Sequence, residues 1–279
     1  MRVKEISSPQ NPIIKDLALL LTKSRARRDR GLFLVEGLRE VERALRSGYD
    51  FESILYRPDL ISMNDVQQHL GQATSKLDSI QHIQCSSKAF AKVAYRVDVP
   101  NIVGVAKRIK RDHLDAITQI QASSHSPFIL VLEGIEKPGN LGAILRSANA
   151  FGVDLVILVN CTAEVEHPNT IRNSLGAALA IPIVATSLEE CHHTLSIHNI
   201  PIYVTHLNAD SISPSELSLD QASAIVLGSE AAGASDLWLK YGAQATLIPM
   251  VSDRIVDSLN VSVATAILLY EVNRQRRSS

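Results

Sequence analysis

Six short apolar runs punctuate the second half of the chain, and they constrain the fold more than any other feature. They are "FILVLEG" (128–134), "VDLVILV" (153–159), "IPIVA" (181–185), "IPIYVTH" (200–206), "SAIVLGS" (223–229) and "ATLIPM" (245–250). Helical spacing or capping residues between and after them predict helices at 141–151, 168–179, 187–198, 234–241 and 258–275. The runs are apolar throughout, as in strands buried on both faces, so the pattern predicts an α/β domain built on a parallel sheet with helices on either side. Ligands of such sheets bind outside the carboxyl ends of the strands. Chemistry is therefore expected in the loops after "VLEG", "VLGS" and "LIPM".

The first half reads differently. "NPIIKDLALLLTK" has helical spacing, "GLFLVEG" is a short strand closed by glycine, and "LREVERALRSG" is a helix stopped by Gly48. "FESILYR", "HIQCSS" and "NIVGVAKR" add strands. These features predict a smaller mixed domain over 1–106, a linker over 107–126 in which "LDAITQIQ" is helical, and the larger domain over 127–279.

Bulk properties exclude several classes. The chain is 46% hydrophobic and 20% charged, the balance of a soluble globular protein, and no window is apolar enough to span a bilayer. Its start, "MRVKEISSPQN", lacks an apolar signal core, so a cytoplasmic location is expected. Cys85, Cys161 and Cys191 are too far apart for metal-ligand or disulfide spacing, and no metal site is expected. The net charge of −1 hides three basic clusters, "TKSRARRDR" (22–30), "KRIKRDH" (107–113) and "NRQRR" (273–277). Each is open to two readings, a solvated helix face or a phosphate-backbone contact.

The three loops carry distinctive residues. In "EKPGNLGAILR" (136–146), Asn140 is a candidate cap for a helix starting at Leu141, with Leu141, Ile144, Leu145 and Ala148 as its buried stripe. Gly142, Arg146 and Asn149 are expected on the opposite face. Arg146 is open to two readings, a surface arginine or one turned toward an anionic substrate. In "VLGSEAAGAS" (226–235) a buried strand ends at Gly228, where a ligand can approach the backbone, and Glu230 follows. In "IPMVSDRIVDSLNVSVATAILLYE" (248–271), Ser258, Asn260 and Ser262 alternate with Leu259, Val261 and Val263, and capping explains only one of the three polar residues. G-x-G-x-x-G, the P-loop and G-x-S-x-G are all absent, which argues against a nicotinamide site, a phosphate-loop enzyme and an α/β-hydrolase.

In order and spacing these loops resemble the SpoU/TrmH family of RNA ribose methyltransferases, within the SPOUT superfamily. "LEGIEKPGNLGAILRSANAFGVD" is similar to its first motif, "IVLGSEAAG" to its second, and "IPM…SLNVSVATAILLYE" to its third; "PNTIRNSLGA" (168–177) is similar to a segment between the first two. The first half resembles the family's accessory RNA-binding domain, of ribosomal-protein-like fold. The resemblance implies a parallel sheet with a C-terminal trefoil knot, bound S-adenosylmethionine, a homodimer joined through the last helix, and 2′-O-methylation of RNA, with large-subunit ribosomal RNA as the expected substrate. A transfer-RNA methyltransferase or a non-catalytic RNA-binding member of the same fold are the alternatives. It further implies catalytic roles for Asn140, Arg146, Glu230, Ser258 and Asn260, with the cofactor near His206, Gly228, Ile248, Met250 and Leu259. The segment 251–257, "VSDRIVD", departs from the family pattern, being longer and without its usual glycine.

Overall fold

Strand β2 (Leu32–Glu36) shows how the first half is built. Leu32 and Leu34 point into one apolar cluster with Ile14, Leu17 and Leu20, while Phe33 and Val35 point into another with Val41, Ala44 and Leu45. A strand with period two that is apolar on both faces needs helices on both sides. The helices Pro12–Thr22 and Leu38–Arg46 supply those faces. With β1 (Val3–Ile6), β3 (Phe51–Tyr56), β4 (Gln81–Cys85) and β5 (Ile102–Lys107), β2 forms a five-stranded sheet in the order β1-β4-β3-β5-β2. β1, β4 and β3 run parallel, whereas β5 is antiparallel to both β3 and β2. The computed structural model describes residues 3–95, 101–109, 126–208, 210–251, 255 and 258–278. The helix predicted within 107–126 lies outside them.

The chain divides into two units, Met1–Lys110 with Glu164–Ala180, and Arg111–Ala163 with Ile181–Ser279. The stretch from Glu164 to Ala180, which contains "PNTIRNSLGA", therefore belongs to the first unit, although it lies in the second half of the sequence. Ile171 and Leu179 join the cluster of Phe33 and Val35. The predicted helix over 168–179 stops at Asn173, because Leu175 (φ 52°) and Gly176 (φ 81°) turn left-handed; a short 3₁₀ turn follows at Ala177–Leu179.

Arg27 reports the same burial. It is 3% exposed, donates from Nε to Glu164 Oε2 at 2.9 Å, and donates from Nη1 to the carbonyl of Leu20 at 2.8 Å. Part of the basic cluster "TKSRARRDR" is thus committed to the protein's own interior. Burial would raise the Glu164 carboxyl, but the Ser24 hydroxyl and the Arg27 guanidinium outweigh it and hold the group below its ordinary value. We expect Arg27→Ala to cost about 3 kcal/mol in urea unfolding, since it strands a partly buried carboxylate. The folded-state pKa of Glu164 lies below the unfolded one. The wild-type protein should therefore keep this contribution above pH 4.5 and lose it as pH falls through the depressed value, a loss that Arg27→Ala should show in reduced form because Ser24 and Arg28 remain on the carboxylate.

The second unit holds a six-stranded sheet of β6 (Phe128–Glu133), β7 (Leu155–Val159), β8 (Ile183–Thr186), β9 (Ile202–Thr205), β10 (Ser223–Leu227) and β11 (Gln244–Thr246). Its order is β11-β9-β10-β6-β7-β8 and every pairing is parallel. All six predicted runs are strands, the last cut to Gln244–Thr246. Ile129, Val131, Ile157 and Val226 face one cluster with Leu188, Cys191, Leu195 and Trp238. Their neighbours Leu130, Leu132, Leu158 and Leu227 are buried as well. The last helix, Val261–Ser278, lies on that second side, where the guanidinium of Arg276 stands 5.0 Å from the ring centroid of Phe128. Arg276 also donates to the carbonyls of Ser126, Pro127 and Gln221 at 2.8, 3.1 and 2.6 Å. It ties down a strand entrance, and "NRQRR" is not wholly a solvated tail.

Candidate active site

All strands being parallel, their carboxyl ends share one edge. From β6 the chain leads to β7 on one side; from β10, which pairs with β6, it leads away to β11 on the other. The β6/β10 pair is therefore the point where strand order reverses, the place in such sheets where loops diverge and leave a crevice. The first loop follows β6 and the second follows β10.

The first loop enters the helix Pro138–Ala150. The helix begins at Pro138 and not at Leu141, because proline's fixed φ suits the first helical position. Asn140 is consequently inside the first turn rather than capping it. Leu141, Ile144, Leu145 and Ala148 are buried as the spacing predicts, and Gly142 is buried with them, not on the exposed face. Arg146 is exposed and has no hydrogen bond or ion pair among the described residues. It sits in the third turn, about 9 Å along the axis from Asn140.

The second loop folds on itself. Ser229 and Gly233 exchange backbone hydrogen bonds of 3.2 and 3.0 Å, and the Ser229 hydroxyl accepts from the Ala232 amide at 3.1 Å. Gly233 takes φ 68° to close the turn. A side chain on Gly228 would place its Cβ 1.9 Å from both the amide nitrogen of Ala234 and the carbonyl carbon of Gly233. The loop's own backbone excludes any other residue at that position. The far end of the loop is held by Glu133, which terminates β6 and accepts from the Ser235 amide and from Trp238 Nε1, both at 2.9 Å. A lone carboxylate ending an apolar strand was a visible signal of such a role.

The third loop delivers Asn260 as the cap of the last helix. Its Oδ1 accepts from the Ser262 amide at 2.9 Å and from the Ser262 hydroxyl at 2.7 Å. Capping occupies the oxygen and leaves the amide Nδ2 to donate to Asn140 Oδ1 at 3.4 Å. Asn140 Nδ2 in turn donates to Glu230 Oε1, and Lys137 Nζ lies 4.0 Å from the same oxygen. One chain of donors, Asn260 to Asn140 to Glu230, thus links the three loops. Ser258 is exposed at the mouth of the same segment. Arg146 shares a helix with Asn140 but makes no bond with this chain.

This arrangement yields a separable expectation. Asn260→Asp retains a capping oxygen and removes the amide donor, so it should keep the melting temperature within a degree or two while reducing turnover. Asn260→Ala should lose both, at about 1 kcal/mol of stability. Thermal unfolding and turnover measured on both variants check it.

The residues assigned to a cofactor follow the neighbouring strands. His206 follows β9, which pairs with β11 through Thr205 and Thr246; Ile248 and Met250 lie just past β11. His206 Nε2 meets Asp236 Oδ1 at 2.9 Å, while its buried Nδ1 has no hydrogen-bond partner among the described residues. Met250 and Leu259 are exposed at 43% and 37%. A buried ring nitrogen open to a partner, and exposed apolar side chains on the neighbouring loops, are groups that suit a ligand with a heteroaromatic base. The cysteines are spent elsewhere: burial pushes the thiols of Cys85 and Cys191 up to about 11 and about 12.

Comparison with known proteins agrees with this architecture. Residues 127–270 match the SpoU rRNA Methylase family and residues 11–104 the MRM3-like substrate binding domain. The chain belongs to the SpoU rRNA methylase family. It is 27% identical over 270 residues, 97% of its length and 99% of the relative's, to the 23S rRNA (guanosine(2553)-2′-O)-methyltransferase RlmP of Bacillus subtilis. A crystal structure of an RNA 2′-O ribose methyltransferase superposes with a TM-score of 0.78 at 33% identity, covering 98% of this chain and 99% of that one. An AdoMet-bound rRNA methyltransferase from Sinorhizobium meliloti gives 0.82 at 27% identity, covering 98% of each.

Proposed function

We propose that the protein transfers a methyl group from S-adenosylmethionine to the 2′-hydroxyl of a ribose in RNA, and that its substrate is large-subunit ribosomal RNA in the cytoplasm. The observation that carries this reading is the Asn260–Asn140–Glu230 chain at the strand-order reversal, with Arg146, which has no partner among the described residues, on the helix of Asn140. The domain at 1–106, completed by Glu164–Ala180, presents the RNA and the rest of the domain at 127–279 performs the transfer, its C-terminal segment threaded as a trefoil knot.

The cofactor brings a methyl group already activated on a sulfonium. The protein's residues therefore have to align the ribose and manage charge. His206, Gly228, Ile248, Met250 and Leu259 line the cofactor side. Asn140 and Asn260 hold Glu230 in place and fix the geometry on the ribose side, with Ser258 at its mouth. Arg146 acts as a fixed guanidinium charge, holding a phosphate next to the target ribose or stabilising the oxygen as its proton passes to solvent water.

The active form is a homodimer. Along the last helix Val263, Ile267 and Tyr270 are exposed at 48%, 41% and 59%, one apolar stripe at helical spacing. Ile267→Glu should shift the protein from dimer to monomer in light scattering.

Incubating the protein with methyl-labelled S-adenosylmethionine and either ribosomal or transfer RNA, then mapping ribose methylation, tests the reading. Label confined to one ribosomal nucleotide is expected. Label in transfer RNA alone would move the substrate, and cofactor-independent RNA binding without label would remove the enzymatic assignment.

A further inference from the structure

The stretch Glu164–Ala180 and the basic residues of the first half leave one feature that ribose methylation alone does not use. A cleft of 620 Å³ opens in the first unit where the segment from Pro168 to Leu175 meets the end of β2 and the start of the helix Leu38–Arg46. Its floor includes Leu34 and Ile171; Tyr95, Arg39 and Arg172 stand around it. The volume falls within the range of small-ligand sites.

By composition the cleft looks acidic, with Glu36, Glu40 and Glu42 among its walls. The partners change that balance. Glu42 is taken by Arg46, with two contacts of 3.0 and 2.9 Å to the same carboxylate oxygen. Glu36 accepts from the backbone amide of Tyr95. Glu40 lies over Gly37 in the first turn of the helix, where a negative charge suits the exposed amides. Arg39 and Arg172 are exposed and have no ion-pair partner among the described residues. The groups left to meet a ligand are therefore two guanidinium groups, the carboxylates of Glu36 and Glu40, which the Tyr95 amide and the helix start orient without neutralising, and an aromatic ring 39% exposed. Two cations, an aromatic face and carboxylate acceptors match a single nucleotide: phosphate, base and hydroxyl or amino donors.

We propose that this cleft binds one unpaired nucleotide of the RNA substrate, its phosphate on Arg39 and Arg172 and its base against Tyr95. The proposal rests on the reading that the substrate is RNA, and it gives the "PNTIRNSLGA" segment a role as one wall of an RNA subsite.

The test uses the full-length protein and a fluorescently labelled fragment of 23S-type ribosomal RNA, with binding followed at several salt concentrations. Arg39→Ala and Arg172→Ala should each weaken binding about ten-fold and lower the salt slope by about one. Tyr95→Ala should weaken it about ten-fold and Tyr95→Phe should restore it. S-adenosylmethionine affinity, measured by calorimetry, should be unchanged in all four, and circular dichroism should confirm that they fold. Unchanged RNA affinity in folded Arg39→Ala and Arg172→Ala would overturn the proposal, as would losses that do not depend on salt. If the wild type binds the fragment through these residues but transfers no methyl group, the subsite stands and the enzymatic reading falls. If methyl transfer proceeds and these variants bind normally, the reverse holds.

Discussion

Replacing Arg146 with alanine is expected to lower methyl transfer by a factor of about 10² to 10³ and to leave the fold untouched. The side chain is exposed and makes no hydrogen bond or ion pair among the described residues, so its removal opens no cavity and strands no partner. A surface change of that kind moves stability by about 0.5 kcal/mol or less. The cost should fall on turnover rather than on cofactor affinity, because the cofactor-side residues His206, Ile248 and Met250 lie in loops after other strands and none is on the helix that carries Arg146. Arg146→Lys discriminates further. A point charge should recover part of the rate if Arg146 only neutralises a phosphate, and almost none if the planar fork is required. Single-turnover rates with labelled cofactor read both variants, and equal rates for wild type and Arg146→Ala would remove Arg146 from the chemistry.

Gly228→Ala is expected to act in the opposite manner, through structure first. The added carbon would sit 1.9 Å from two backbone atoms of the turn that closes at Gly233, and backbone cannot rotate away as a side chain can. The loop must reopen, breaking the Ser229–Gly233 exchange and displacing Glu230 from Asn140. We expect about 3 kcal/mol of destabilisation in denaturant unfolding, together with loss of cofactor binding. A variant as stable as wild type would show that the turn relaxes at little cost. The glycine had been read from sequence as a place for a ligand to approach. The structure supplies a prior reason, since the chain itself approaches there.

That difference marks what the residues alone could tell. Apolar runs and helical spacing are properties of single segments, so all six strands of the parallel sheet and the buried stripe Leu141, Ile144, Leu145 and Ala148 were legible. Helix starts were less so. Asn140 and Pro138 both favour a beginning, and proline's fixed φ prevailed, which carried Asn140 into the helix and turned it toward Glu230. Partnerships across long separations were not legible. Nothing near Arg27 announces that Glu164 will neutralise it, and nothing near Arg276 announces four carbonyls, so two of the three basic clusters overstated the charge available to RNA. That one of the polar residues Ser258, Asn260 and Ser262 would serve as a cap was legible, but that the cap is Asn260, and that its second amide atom would join three distant loops, depends on the order of strands.

The placement of Ile171 and Leu179 has a consequence for inheritance. The first unit completes its core with residues encoded between two strands of the second, β7 and β8. A gene split within 107–126 would hand each product an incomplete interior: one fragment missing two core side chains, the other exposing them. The two halves can diverge in sequence but cannot be traded as independent cassettes, and a donor of a new RNA-binding half would have to bring its own version of Glu164–Ala180 with it.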